Sequence, residues 1–231
     1  MQKYHSRVIY FILINKLLLG AVTTIDFETA GDGYTPSAVS GSGWTDTFNR
    51  INNDQNSITE DGYYWAAEDI SGNPYIDLDQ INVTGASSFV LQIDAYVKND
   101  SKMDDSDELK ITYSIDGGSS QNLLWFQNIG GTNKPFAIDT DFDGVGECGT
   151  ATTLSHRTAG TEDGCTSTND DFATYTSPLV ILSGNSTLDI KLSYSSMTSN
   201  DEGIYIDNII VTTDPEKCTI SGNSGFRMMS S

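Results

Sequence analysis

Period-two alternation of apolar and polar residues dominates the chain. Phe89, Leu91, Ile93, Ala95 and Val97 share one face of the run 88–97, and Leu109, Ile111, Tyr113 and Ile115 repeat the pattern. Leu188, Ile190, Leu192 and Tyr194 do so again. Successive strand residues point to opposite faces, so each run predicts a half-buried strand. Further strands are predicted at 24–28, 63–67, 75–78, 123–127, 178–182 and 203–211, with turn sequences such as Asp116-Gly117-Gly118 and Ser183-Gly184-Asn185 between them. No stretch beyond residue 21 holds helical spacing for long. Nine or ten strands predict an all-β fold, a two-sheet antiparallel jelly-roll sandwich over residues 22–213. One polar insertion, 129–171, is too long for an unsupported loop and requires something besides a core to order it.

Charge removes several classes of function. The 231 residues carry 12 Lys+Arg against 32 Asp+Glu, a net charge of −20. Such a field repels nucleic-acid phosphates and anionic lipid headgroups, which excludes both as partners. With 37% hydrophobic residues and 21 glycines, the chain is apolar enough for a core and too glycine-rich for a helical bundle. Residues 1–21 read as a secretory signal: Lys3 and Arg7 precede apolar stretches at 8–14 and 17–19, interrupted by Asn15 and Lys16. An uncleaved N-terminal anchor is the alternative. The apolar run falls short of the ~20 residues a spanning helix needs, so no membrane insertion of the mature chain is expected. Residues 214–231 read as a linker or tail. The expected location is secreted or at the cell surface.

Two features address the insertion. Cys148 and Cys165 enclose 16 residues, and a bridge across such a loop contributes roughly 3 kcal/mol by restricting the unfolded chain. Cys218 is then the odd thiol. A zinc site is the competing reading, weakened by the lack of a C-x-x-C pair. Between Ile138 and Cys148 stands Asp139-Thr140-Asp141-Phe142-Asp143-Gly144-Val145-Gly146-Glu147. Carboxylates at positions 1, 3 and 5 with glycine at 6 suit a calcium-wrapping turn, with the Val145 carbonyl at position 7 and Glu147 at 9. Thr150 replaces the glutamate that closes an EF-hand, so the turn is a D-x-D-x-D-G loop, with a solvated acidic turn as its alternative. A second acidic run, Asp100, Asp104, Asp105, Asp107 and Glu108, reads as a solvated loop or a second cation site, and Asn200, Asp201 and Glu202 share that ambiguity.

The ends of the domain carry a resemblance. Ile25-Asp26-Phe27-Glu28 opens it and Glu202-Gly203-Ile204-Tyr205-Ile206-Asp207-Asn208-Ile209 closes it. In these motifs the chain resembles secreted β-sandwich modules, both galactose-binding-like carbohydrate modules and MAM-like or cell-surface-anchor jelly rolls, and in the stretches Trp65-Ala66-Ala67-Glu68-Asp69, Tyr113-Ser114-Ile115-Asp116-Gly117-Gly118 and Asp139 to Cys148 it resembles domains of large multidomain secreted proteins of Bacteroidota-type bacteria. The resemblance implies a structural calcium held partly by Glu28 and Asp207, and a role as one part of a larger secreted protein.

Catalytic signals are thin. No P-loop, H-E-x-x-H, G-x-S-x-G or dinucleotide fingerprint occurs, and His156 is the only histidine beyond the signal. Aromatics offer more. Trp44, Trp65, Trp125, Tyr34, Tyr63, Tyr64 and Tyr75 are candidates for a platform that stacks on sugar faces, with Trp44 and Tyr34 foremost, whereas Trp65 and Trp125, inside strand patterns, read first as core. The expected function is a calcium-stabilised, non-catalytic module that recognises a carbohydrate or cell-surface partner. An accessory region of a secreted hydrolase and a structural spacer are the alternatives.

Overall fold

Residues that alternate in the sequence pair into sheets because each strand has one apolar face to bury. In a computed structural model the described residues are 20–41, 46–52, 62–99, 102–156, 161–162, 165–166 and 171–215. The predicted signal up to residue 19, Trp44, Asp100, Cys218 and the tail beyond Pro215 lie outside them. The strands are β1 (Val22–Ile25), β2 (Tyr34–Pro36), β3 (Thr47–Ile51), β4 (Tyr64–Glu68), β5 (Tyr75–Leu78), β6 (Ile81–Asn82), β7 (Ala86–Val97) and β8 (Glu108–Ile115), followed by β9 (Gln121–Asn128), β10 (Phe136–Ile138), β11 (Thr161–Glu162), β12 (Cys165–Thr166), β13 (Ala173–Thr176), β14 (Val180–Ile181), β15 (Thr187–Ser195) and β16 (Gly203–Pro215). There is no helix among the described residues.

Two antiparallel sheets of seven strands form the jelly-roll sandwich. The first runs β13-β7-β16-β4-β3, with β1 along β16 and β14 along β7. The second runs β10-β9-β8-β15-β5-β2, with β6 along β15. Phe89, Leu91, Ile93, Ala95 and Val97 of β7 are fully buried, as are Leu109 and Ile111 of β8 and Leu188 and Leu192 of β15. The predicted inward faces therefore meet in one core. Edge-to-face aromatic pairs extend it, with Phe48 5.3 Å from Tyr194 and Phe89 5.4 Å from Tyr113.

The two outer faces differ. On the first sheet, Ile51, Tyr64, Ala66, Tyr96 and Tyr205 form a second buried cluster with Phe172 against it. At its border Glu68, 1% exposed, pairs with Lys98 and accepts a hydrogen bond from the Tyr205 hydroxyl at 2.8 Å. On the second sheet, the outward residues of β8 and β15, including Glu108, Lys110, Thr112, Lys191 and Ser193, remain half-buried. That open face is the available surface.

The insertion has its own anchors. Strand β10 pairs with β9 and buries Phe136, Ala137 and Ile138, and Leu154 is fully buried. Cys148 and Cys165 form the predicted disulfide, with Cα atoms 4.8 Å apart.

Candidate functional site

Strand register assembles the outer face of the second sheet. Directly opposed residues on neighbouring strands share a face, and the partners Trp125–Lys110, Lys110–Ser193 and Ser193–Tyr75 make one row across β9, β8, β15 and β5. Three strand spacings separate the two aromatics, about 14 Å. On one side lies the row Gln127, Glu108, Ser195; on the other, Thr112, Lys191 and Asp77. Glu108 holds the indole in place. Its Oε2 accepts from Trp125 Nε1 at 2.8 Å and from Gln127 Nε2 at 3.2 Å, and its Oε1 accepts from Ser195 Oγ at 3.0 Å. Lys110 Nζ sits 3.7 Å from the Trp125 ring centroid, and Lys191 Nζ 3.4 Å from that of Tyr75. A groove of about 430 Å³ opens beside this row, with Asp77, Thr112, Ser114, Ser120, Asp189 and Lys191 along it.

The acidic loop begins where β10 ends. The Asp139 amide donates to the Trp125 carbonyl at 2.8 Å, which fixes the start of the loop against β9. Asp139, Asp141, Asp143 and Glu147 each bring a carboxylate oxygen within 4.8 Å of the others. The loop folds by Asx-type bonds: Asp139 accepts from the amides of Asp143 (3.2 Å) and Gly144 (2.8 Å), and Asp143 from that of Val145 (3.0 Å). Glu147 Oε2 accepts from the Thr140 amide, closing the turn. Gly144 takes φ +98°, the left-handed region that glycine enters without penalty. Gly146 is required for a different reason: a Cβ there would lie 2.6 Å from the Gln127 carbonyl oxygen and 2.9 Å from that of Ala137. Burial pushes the Asp139 carboxyl above its usual range, and the charge of Glu147 adds to this against the three loop amides that oppose it. An oxygen-only donor set of four carboxylates suits a hard cation.

The remaining sequence candidates fall elsewhere. Tyr34 is a correction: at 3% exposure it packs edge-on against Phe27 (5.0 Å) and Trp65 (5.8 Å), inside the core. Trp65 is core as expected, 1% exposed. Trp125 is not. It stands half-buried on the outer face, because β9 carries an irregularity opposite Ile111 and Thr112 that buries both Leu123 and Leu124 and resets the alternation. Glu28 and Asp207 lie outside the acidic cluster. β1 ends at Ile25 and Phe27 turns at φ +55°, after which Glu28 accepts from the Tyr63 amide at 2.8 Å. Asp207 is 6% exposed beside an irregularity of β16 and accepts from Asn208 at 3.4 Å. Val145 is 42% exposed, and its amide serves Asp143.

No described protein family and no curated protein matches the sequence. Solved structures similar to the chain include TmCBM61 in complex with β-1,4-galactotriose, at 7% identity and TM-score 0.38 over 84% of this chain and 88% of that one. Another is the C-terminal CBM6 of the laminarinase LamC from Zobellia galactanivorans, at 10% and 0.38 over 83% and 99%. A third is the K3 cleaved adhesin domain of Lys-gingipain from Porphyromonas gingivalis, at 12% and 0.32 over 83% and 91%. Two are carbohydrate-binding modules and one an adhesin domain. The likeness concerns the β-sandwich alone, which the strand pairing of this chain establishes independently. No described helix is long and apolar enough to cross a membrane.

Proposed function

We propose that the chain is a non-catalytic, calcium-stabilised carbohydrate-binding module that works outside the cell as part of a larger secreted protein. The observation that carries this reading is the cross-strand row Trp125–Lys110–Ser193–Tyr75 on the open sheet face. Sugars present flat C–H faces and a rim of hydroxyls, and sites that take them pair aromatic surface with a few oriented polar groups. Trp125 and Tyr75 supply the first; Asp77, Thr112, Asp189 and Lys191 along the groove supply the second. Glu108 pre-orients the indole, which reduces the ordering cost of binding. The lysines over the two rings are no barrier, since an exposed cation–π contact is worth about 0.5–1 kcal/mol.

Calcium belongs to the acidic loop, with Asp139, Asp141, Asp143 and Glu147 as carboxylate ligands and the Val145 carbonyl as a fifth oxygen. Its role is structural, because the loop hangs from the β9–β10 edge next to Trp125.

A glycan array probed in the presence of calcium tests the binding face. Trp125→Ala and Tyr75→Ala are each expected to weaken the best hit about tenfold, since loss of a stacking aromatic costs on the order of 1 kcal/mol or more. Wild-type protein that retains no glycan, or binding indifferent to both substitutions, removes the reading. For the metal, an ion at 100 times its dissociation constant adds about 2.7 kcal/mol. Chelation is then expected to lower the melting temperature by roughly 5–11 °C for a domain of this size. Asp143→Asn should remove the loop's share of that shift; a melting temperature indifferent to EDTA refutes calcium in the loop.

A further inference from the structure

A second cavity, of about 330 Å³, draws its walls from both sheets: Leu123, Leu124 and Ile138 from β9 and β10, and Ser177 and Pro178 from the link between β13 and β14. It shares no lining residue with the groove beside Trp125. Two backbone irregularities deliver apolar side chains to it. Asn122 pairs with Thr112 and Leu124 with Ile111, so Leu123 is the extra residue of a bulge, a device that re-aims side chains beside binding sites. Phe142 takes φ +62°, a region bulky residues occupy only where the surrounding structure holds them, and it stands half-buried in the cavity wall.

The polar atoms around the cavity already have partners. Ser177 Oγ accepts from the Leu91 amide at 3.0 Å and donates to the Pro178 carbonyl at 2.9 Å, and Thr152 Oγ1 donates to the Glu147 carbonyl. Asp139, 1% exposed, turns its two oxygens to the amides of Asp143 and Gly144. What meets an occupant is therefore chiefly the apolar wall. Volume and charge narrow the occupant further. A cavity of about 150 Å³ lined by leucine, isoleucine and phenylalanine holds benzene, so roughly twice that volume admits two rings. The carboxylates of the acidic loop and the net charge of −20 disfavour an anion, and Asp139, engaged by the loop amides, offers little to an organic cation.

We infer that this cavity is a second binding site, for a neutral two-ring aromatic molecule, and that calcium in the acidic loop strengthens its binding by fixing Phe142. Phe142 lies between Asp141 and Asp143, so a cation that draws those carboxylates together also sets the backbone that aims the ring. The coupling rests on the calcium reading of the loop. The site does not, because its walls are given by the strands and the bulge.

The test is a fluorescence titration of the full chain with prodan, a neutral naphthalene dye whose emission shifts to the blue on leaving water. In calcium, one saturable site per chain is expected. Ala151→Phe places a ring at the exposed rim and should weaken binding about tenfold at an unchanged melting temperature; Phe142→Ala, which removes part of the wall, should do the same and serves if the first variant misfolds. EDTA should weaken wild-type binding by about fivefold or more. No saturable binding, or binding indifferent to both substitutions, overturns the site. A glycan retained by the wild type and lost in Ala151→Phe makes the cavity a sugar subsite and overturns it as well. A melting temperature that responds to EDTA with an unchanged prodan affinity overturns the coupling and leaves calcium in place, whereas indifference of both to EDTA refutes the calcium reading and the coupling together.

Discussion

Lys98→Met removes the cationic partner of a carboxylate that cannot reach water. Glu68 is 1% exposed at the end of β4, paired with Lys98 and hydrogen-bonded by Tyr205, and Lys98 Nζ also donates to the Asn200 carbonyl at 2.6 Å. Burial already pushes the Glu68 carboxyl above its usual range despite the opposing bonds from Lys98 and Tyr205, so desolvation is the larger effect. Without the ammonium that penalty stands uncompensated, and breaking a buried pair from one side costs about 3–5 kcal/mol. For a domain of this size that is roughly 6–20 °C in melting temperature. Adding Glu68→Gln to Lys98→Met removes the stranded charge while keeping an acceptor for Tyr205, and should recover more than half of the loss. Guanidinium unfolding at pH 7 followed by tryptophan fluorescence measures both variants. Lys191→Met is the control: its pair with Asp77 spans 3.6 Å between side chains 41% and 50% exposed, and such pairs are worth about 0–1 kcal/mol. A Lys98→Met cost as small as the control, or a double variant no more stable than the single, refutes the assignment of Glu68 as a buried charge that depends on its partner.

Other perturbations probe the insertion and the turns. Replacing Cys148 and Cys165 by serine should cost about 3 kcal/mol by the loop-entropy relation, read as a lower guanidinium midpoint; an unchanged midpoint contradicts it. Gly146→Ala forces a methyl against two backbone oxygens and is expected to destabilise by about 1–3 kcal/mol while weakening calcium retention, both measurable in one melting series with and without EDTA. Asp116 is held down to about 2 by the Asn185 side chain and then by the Ser186 and Thr187 amides. A depressed carboxyl contributes stability that is present above about pH 4 and lost as pH falls through about 2, so Asp116→Asn should flatten that part of the acid-unfolding curve. An identical acid limb in the variant would show that the bonds contribute nothing.

How much was legible in the chain depends on whether a local rule sufficed. The strands at 88–97, 109–115 and 188–194 follow from alternation because each is long and buries one whole face, and 75–78 falls where predicted to the residue. Strands β3 and β13 lie on sheet edges, and β13 buries only Tyr175 fully, so no alternating run announces it. The D-x-D-x-D-G loop and the Cys148–Cys165 bridge were readable because their partners lie close along the chain, where spacing alone constrains geometry. Trp125 was misplaced since the irregularity in β9 inverts the parity of the residues after it, a shift set by its pairing with β8. Tyr34 and Trp65 have the same aromatic character as Trp125 and Tyr75, and only the packing of one sheet on the other sends the first pair inward and leaves the second pair on the open face. The sequence by itself determined an acidic all-β chain with one cross-linked, carboxylate-rich insertion, because those are properties of composition and short-range spacing. Tertiary structure alone decided which aromatics meet solvent, because that depends on the register between strands that are distant in the chain.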